Sequence, residues 1–206
     1  LPMVGKEDSV SNWDLLVPEA TTNHIENPSF EDGVSEWNLI GGIGTITQSS
    51  SYTKFGAYSA RLKAGTSGND SRIYAAITQT LDDGDTVTLS TWAYATFSSS
   101  SIGSIRIYDN TNSTFRSTET FDVDGESWTY VSTSWTNDTG GTVEIRAYLY
   151  NTLQDDTNYL FWDGVQLEWK DHVTTYCDGT QEGCEWNGEE HNSTSTRSAQ
   201  SRAGGV

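Results

Sequence analysis

Basic residues are scarce in this sequence. Eleven Lys and Arg stand against twenty-nine Asp and Glu, a formal net charge of −18. Such a charge argues against nucleic acid or an anionic membrane surface as the main partner, because either would repel the chain. No apolar run reaches the roughly 18–20 residues a bilayer-spanning helix needs, so no membrane insertion is expected. No basic stretch followed by an apolar core opens the chain. It begins at Leu1 rather than Met, as a processed or partial product would, so that lack says little about export.

Residues of chemistry are equally thin. The three histidines, His24, His172 and His191, lie near the ends, and none sits by a GxSxG elbow or an HExxH helix. No glycine-rich run joins a strand pattern to a helix pattern, so phosphate cradles are missing. The many carboxylates supply chance pairs, but none is marked by its context as a glycosidase pair. No enzyme is expected. The only cysteines, Cys177 and Cys184, enclose the short loop DGTQEG. They read as a disulfide of an oxidising compartment, or as half of a zinc site that would need further ligands such as His172 and His191.

What remains is rich in β-branched and aromatic residues and in Ser, Thr, Gly, Asn and Asp. The first group fits a pleated, half-buried surface and the second supplies turns. No long window carries a 3.6-residue apolar period, so helix is expected to be nearly absent. Alternating runs recur instead: TITQS, YSARLKA, RIYAAITQTL, TVTLSTWAYA, GSIRIYD, TYVSTSW, TVEIRAYLY and YLFWDGVQLEW. Turn-formers separate several of them: GTSGND, DDGD, DNTNST, NDTGG and QDDTN. Roughly eight or nine such strands predict an all-β, antiparallel jelly-roll β-sandwich. Residues 1–22 read as an extended N-terminal arm, 23–170 as the jelly roll and 171–206 as an irregular C-terminal extension. The end of that extension, GEEHNSTSTRSAQSRAGGV, is too polar to form a core of its own and is expected to be disordered or held by another surface.

Period two splits each run into two faces. Val87, Leu89 and Ala93 oppose Trp92 and Tyr94. Ile105 and Ile107 oppose Arg106 and Tyr108. Val143, Ile145, Ala147 and Leu149 oppose Glu144, Arg146, Tyr148 and Tyr150. The aliphatic set is the expected core. The other set, Trp92, Tyr94, Arg106, Tyr108, Arg146, Tyr148 and Tyr150, is a candidate glycan-binding face, since a pyranose stacks on rings while charged groups bond its hydroxyls. The same residues also suit a protein contact. Trp37, Trp128, Trp135 and Trp162 fall near strand ends and are expected to pack at the core edge.

NPSFEDGVSEW, KFGAYSARL, TLSTWAYA and YLFWDGVQLEW together resemble the carbohydrate-binding-module family 4/9 type of jelly roll, over roughly residues 23–170. The segment YCDGTQEGCEWNGEEHNSTSTRS resembles one that follows such modules in tailed-phage tail and other virion structural proteins, and VPEATTNHIENPSFE resembles their entry. The resemblance implies a structural Ca2+ tying the N-terminal segment to the last strand. Its ligands would be Glu31, Asp163 and a carbonyl near Asn27. It also implies a non-catalytic virion or extracellular subunit or adhesin that meets a polysaccharide or cell-surface glycan, with copies of itself or other virion proteins as partners through arm and tail. An accessory module of a secreted glycoside hydrolase is the alternative.

Overall fold

The computed structural model describes residues 18–40, 44–64, 71–153 and 157–199. The predicted turn at 65–70 and most of the N-terminal arm lie outside them. Thirteen strands are described, and no helix. They are β1 (Thr21–Asn23), β2 (Asn38–Ile40), β3 (Thr45–Ser49), β4 (Ser59–Lys63), β5 (Ser71–Leu81), β6 (Thr86–Tyr94), β7 (Ser99–Asp109), β8 (Thr114–Val123), β9 (Trp128–Thr136), β10 (Val143–Asn151), β11 (Tyr159–Glu168), β12 (Cys184–Trp186) and β13 (Ser195–Arg197).

Two five-stranded antiparallel sheets face each other. The front sheet has the order β2-β5-β10-β7-β8 and the back sheet β3-β4-β11-β6-β9. This is the predicted jelly-roll sandwich. The aliphatic faces read from the sequence fill its centre: Val87, Leu89, Ala93, Ile105, Ile107, Ala147 and Leu149 have no exposed surface. Among the four tryptophans expected at the core edge, Trp162 is fully buried with its ring edge-on to Phe121, 5.5 Å between centroids. It occupies the middle of the core rather than its rim, because β11 lies between β4 and β6 at the centre of the back sheet.

β8 carried no alternating apolar signal, since in TFRSTETFDV Phe115 stands alone among polar residues until Phe121. It forms at the front-sheet edge, where one side needs no apolar cover. The other unpredicted pair lies in the polar tail. β12 and β13 make a third, three-stranded sheet with β1, in the order β1-β13-β12. Thus Ser195–Arg197 is ordered on its own domain, pairing with Thr21–Asn23. Polar composition is no obstacle, because this segment joins a core through backbone pairing and side-chain bonds rather than building one.

Asn23 is the hub of that junction. Its side chain donates to the carbonyls of Val165 (2.9 Å) and Cys177 (3.1 Å) and accepts from the N–H groups of Ile25 and Leu167, both at 3.1 Å. Glu168, also fully buried, accepts from Thr21 Oγ1, Gln166 Nε2, Thr174 N and Thr174 Oγ1. Cys177 and Cys184 form a disulfide, which decides between the two readings of that pair. The bridge holds the loop 178–183 against the back sheet, where Gln166 Oε1 receives the Cys177 N–H at 2.7 Å.

Candidate functional site

The seven residues expected on one contact face divide between two. Trp92 and Tyr94 are on β6 of the back sheet, whereas Arg106, Tyr108, Arg146, Tyr148 and Tyr150 are on β7 and β10 of the front sheet. Alternation tells which side of its own strand a residue occupies. It does not tell which sheet the strand joins.

On the front sheet the register aligns side chains in rows across three strands. Arg72, Tyr150 and Ser104 form one row, Tyr74, Tyr148 and Arg106 the next, and Ala76, Arg146 and Tyr108 the third. Phe115 on β8 stands opposite Tyr108. The rings make a continuous cluster: Tyr74 stacks on Tyr148 at 5.0 Å, and Tyr108 and Phe115 meet Tyr148 edge-on at 5.6 and 5.4 Å. Sequence reading did not include Arg72, Tyr74 or Phe115. Arg72 and Tyr74 were legible in RIYAAITQTL by the alternation that gave Tyr148, whereas Phe115 lies in the strand with no apolar pattern.

The depth of these rings differs from expectation. Tyr148 and Tyr150 are 4% and 1% exposed, so neither offers a free face to a sugar. Guanidinium groups lie over the ring layer: Arg106 sits 3.8 Å from the Tyr150 centroid, Arg146 4.6 Å from Tyr74 and Arg72 5.4 Å from Tyr150. Such stacking is a favourable cation–π arrangement. Among the cluster rings Phe115 is the open one, at 39% exposure.

The back-sheet residues take another role. Tyr94 is buried against Tyr52, 4.3 Å away, and Trp128 at 5.4 Å. Trp92 borders a cavity of about 270 Å³ with Phe55, Ser90, Tyr130, Thr174, Tyr176 and Gln181, roofed by the C-terminal extension. Lys54 Nζ lies 3.8 Å from the Trp92 ring.

Glu31 and Asp163 both grip the turn at residues 54–58. Asp163 accepts from the N–H groups of Lys54 (2.7 Å), Phe55 (3.0 Å) and Gly164 (2.7 Å). Glu31 accepts from Ala57 and Tyr58, the latter at 2.8 Å. Gly56 has φ +60°, and a Cβ there would come within 2.3 Å of the Glu31 carboxylate, so glycine is required for this approach. Burial first, and the charge of Glu31 with it, push the Asp163 carboxyl up to about 7 against the pull of its amide donors. Asn27 is used elsewhere: its side chain donates to Gly33 O and accepts from Asp32 N, and its carbonyl accepts from Phe30 N. Among the described residues no cluster of three or more His, Cys, Asp or Glu side chains is arranged around a common point.

Against known proteins, the model of the family described as "Carbohydrate binding domain" matches residues 22–157. No protein of curated function matches the chain. Solved structures share the fold at low identity. The CBM22-1 xylan-binding domain of Paenibacillus barcinonensis Xyn10C superposes with a TM-score of 0.54 at 14% identity, covering 76% of this chain and 98% of its own. A Stig cyclase from Fischerella superposes with a TM-score of 0.61 at 11% identity, covering 78% of this chain and 100% of its own. The enzymatically active domain of bacteriophage CBA120 tailspike protein 4 gives 0.51 at 17%, covering 70% of this chain and 21% of its own. A binding module, a cyclase and a tailspike therefore share one scaffold, and at these identities the likeness speaks of fold alone.

Proposed function

The chain belongs to the carbohydrate-binding domain family, and from that premise we propose that the outer face of its front sheet is a glycan-binding surface. The carrying observation is the continuous layer of Tyr74, Tyr108, Phe115, Tyr148 and Tyr150 with Arg72, Arg106 and Arg146 above it. Guanidinium forks bond sugar oxygens and Phe115 offers the open ring. We assign the protein binding and no chemistry. The disulfide favours an oxidising, extracellular setting. The likeness of the tail segment to those of virion structural proteins favours a virion-borne adhesin over an accessory module of a hydrolase. The described tail packs on its own domain, so the reading of arm and tail as contacts between copies rests on that likeness alone.

Retention on immobilised bacterial and plant polysaccharides tests this reading. A double variant Arg106→Ala/Tyr74→Ala is expected to lose at least about tenfold in affinity, the scale of one charge-assisted bond. Trp92→Ala is the opposing arm. Loss there, with the front-sheet variant unaffected, would move the site to the cavity on the back sheet.

We also propose a structural Ca2+ at Glu31 and Asp163. Both are hard oxygen donors addressing one turn, and a cation there would offset the burial and the Glu31 charge that hold the Asp163 carboxyl up. The ion would supply charge neutralisation and tie the 54–58 turn to β11. Chelation is expected to lower the unfolding midpoint, and millimolar Ca2+ to restore it, since a ligand of the folded state alone stabilises by mass action. An identical melting curve in chelator would remove the ion.

A further inference from the structure

The surface proposed to bind glycan is built less of rings than of guanidinium groups. Tyr148 and Tyr150 are buried beneath it. Arg72, Arg106 and Arg146 come from β5, β7 and β10, three neighbouring strands of the front sheet. Each falls in a different row of the register. The guanidinium groups of Arg72 and Arg106 both lie over Tyr150, and that of Arg146 lies over Tyr74, one row on. Rows are about 6.7 Å apart along a strand, so the three charges reach beyond one sugar ring.

Among the described residues these charges have no acid to answer them. Among the described residues, the ion pairs that involve arginine or lysine are Arg116 with Asp109 and Lys170 with Glu19. Asp109 at the end of β7 is satisfied by Arg116 and Asn112, and Glu144 at the start of β10 is held by Asn110. Among the described residues, Arg106 Nε donates to the Ser104 hydroxyl alone, at 3.1 Å. Arg72 Nε is buried without a hydrogen-bond partner among the described residues. A buried donor left unmet is costly and gains from any acceptor that approaches the group.

In a chain of net charge −18, three of its eleven Lys and Arg gathered on one face require a reason. Supporting the fold does not provide it, because tyrosines already pack against one another there and neutral side chains would cover them. We propose that the preferred ligand is an acidic polysaccharide, whose successive uronate carboxylates are met by Arg72, Arg106 and Arg146. A guanidinium presents a planar fork that matches a carboxylate with two parallel bonds. The overall negative charge acts at long range and is screened beyond about 8 Å at physiological salt, whereas the contacts on the face are shorter. The sequence-level exclusion of polyanions therefore holds for non-specific attraction and not for this face. The inference rests on the glycan-binding reading and narrows it to one class of sugar.

The test compares polygalacturonate with the same polymer fully methyl-esterified, a neutral xylan and a single-stranded oligonucleotide, by calorimetric titration in 0.15 M salt. The acid form is expected to bind at least about tenfold more tightly than its ester. Arg106→Gln and Arg146→Gln are each expected to reduce acid-form affinity about tenfold and ester affinity by clearly less, so that the preference for acid over ester narrows. Arg106→Lys, which keeps charge without the fork, should recover only part of the loss. Melting curves check the fold of each variant. Where a Gln variant unfolds early, the wild-type salt titration decides in its place, with acid-form affinity expected to fall as salt rises.

Equal affinity for acid and ester, or unchanged binding by folded Gln variants, would overturn the uronate inference and leave the glycan reading standing. Tighter binding of the oligonucleotide would overturn it in favour of a nucleic-acid ligand. Failure to retain any polysaccharide would remove the glycan reading itself.

Discussion

Asn23→Leu is expected to lower the thermal unfolding midpoint by about 10–15 °C. The side chain is fully buried and makes four hydrogen bonds, all to backbone groups. Leucine has the same branched shape and number of side-chain heavy atoms, is larger, and can make none of them. The Cys177 carbonyl keeps a partner in the Ser195 hydroxyl at 3.0 Å, so about three groups lose theirs. Each buried polar group left unpaired costs about 1–3 kcal/mol, so three cost about 3–9 kcal/mol, and burying the leucine side chain offsets about 2–3 kcal/mol, leaving a net loss of order 3–5 kcal/mol. In a domain of this size 1 kcal/mol moves the midpoint by about 2–4 °C. Asn23→Asp separates the parts of the effect. It keeps two acceptors for Ile25 and Leu167 but loses both donors and buries a charge, so it too should be strongly destabilised. Calorimetry of the two variants checks this, and a shift below about 3 °C for Asn23→Leu would show that the junction contributes little to stability.

Trp162→Ala should cost a comparable 3–5 kcal/mol, about the usual loss for emptying a large aromatic site. The ring is wholly enclosed at the centre of the back sheet and meets Phe121 edge-on. Urea unfolding should show a lower midpoint with an unchanged slope, as for a change in stability alone. Trp162→Phe is expected to lose much less. The indole N–H is buried without a hydrogen-bond partner among the described residues, so phenylalanine removes an unmet donor along with part of the packing. Equal losses for the two substitutions would mean that the site collapses around neither ring, and that the enclosed volume is not what the tryptophan provides.

The two variants probe features of unequal legibility. Trp162 stood in the run YLFWDGVQLEW, plainly a strand, yet its position along that run resembled a strand end more than a core centre. Depth depends on how many strands flank it. Asn23 gave no signal at all. It is one polar residue among many in TTNHIENPS, and its value comes from carbonyls and amides contributed by residues more than 140 positions away.

Much of the candidate site was half visible in the same sense. The Arg and Tyr positions on β7 and β10 were read correctly as the side opposite the aliphatic core, because alternation along a strand follows from covalent geometry. Grouping them with Trp92 and Tyr94 required knowing the sheet to which each strand belongs, and the structure puts those two on the other sheet. Tyr148 and Tyr150 were expected to be platforms. They are a foundation, because Arg72 and Arg106 from the flanking strands fold over Tyr150, and the rings of Tyr74, Tyr108 and Phe115 close around Tyr148.

By itself the sequence determined the β class, the inward and outward side of the main strands, the proximity of Cys177 to Cys184 and the absence of a membrane-spanning run. Each depends on neighbours within about ten residues, where chain geometry allows few outcomes. Tertiary structure alone decided the division of strands between two sheets, the docking of the polar tail beside β1, and the placing of arginines above rings. Those depend on pairings between distant segments, which are selected by the free energy of the whole packed domain and leave no periodic trace in any one strand.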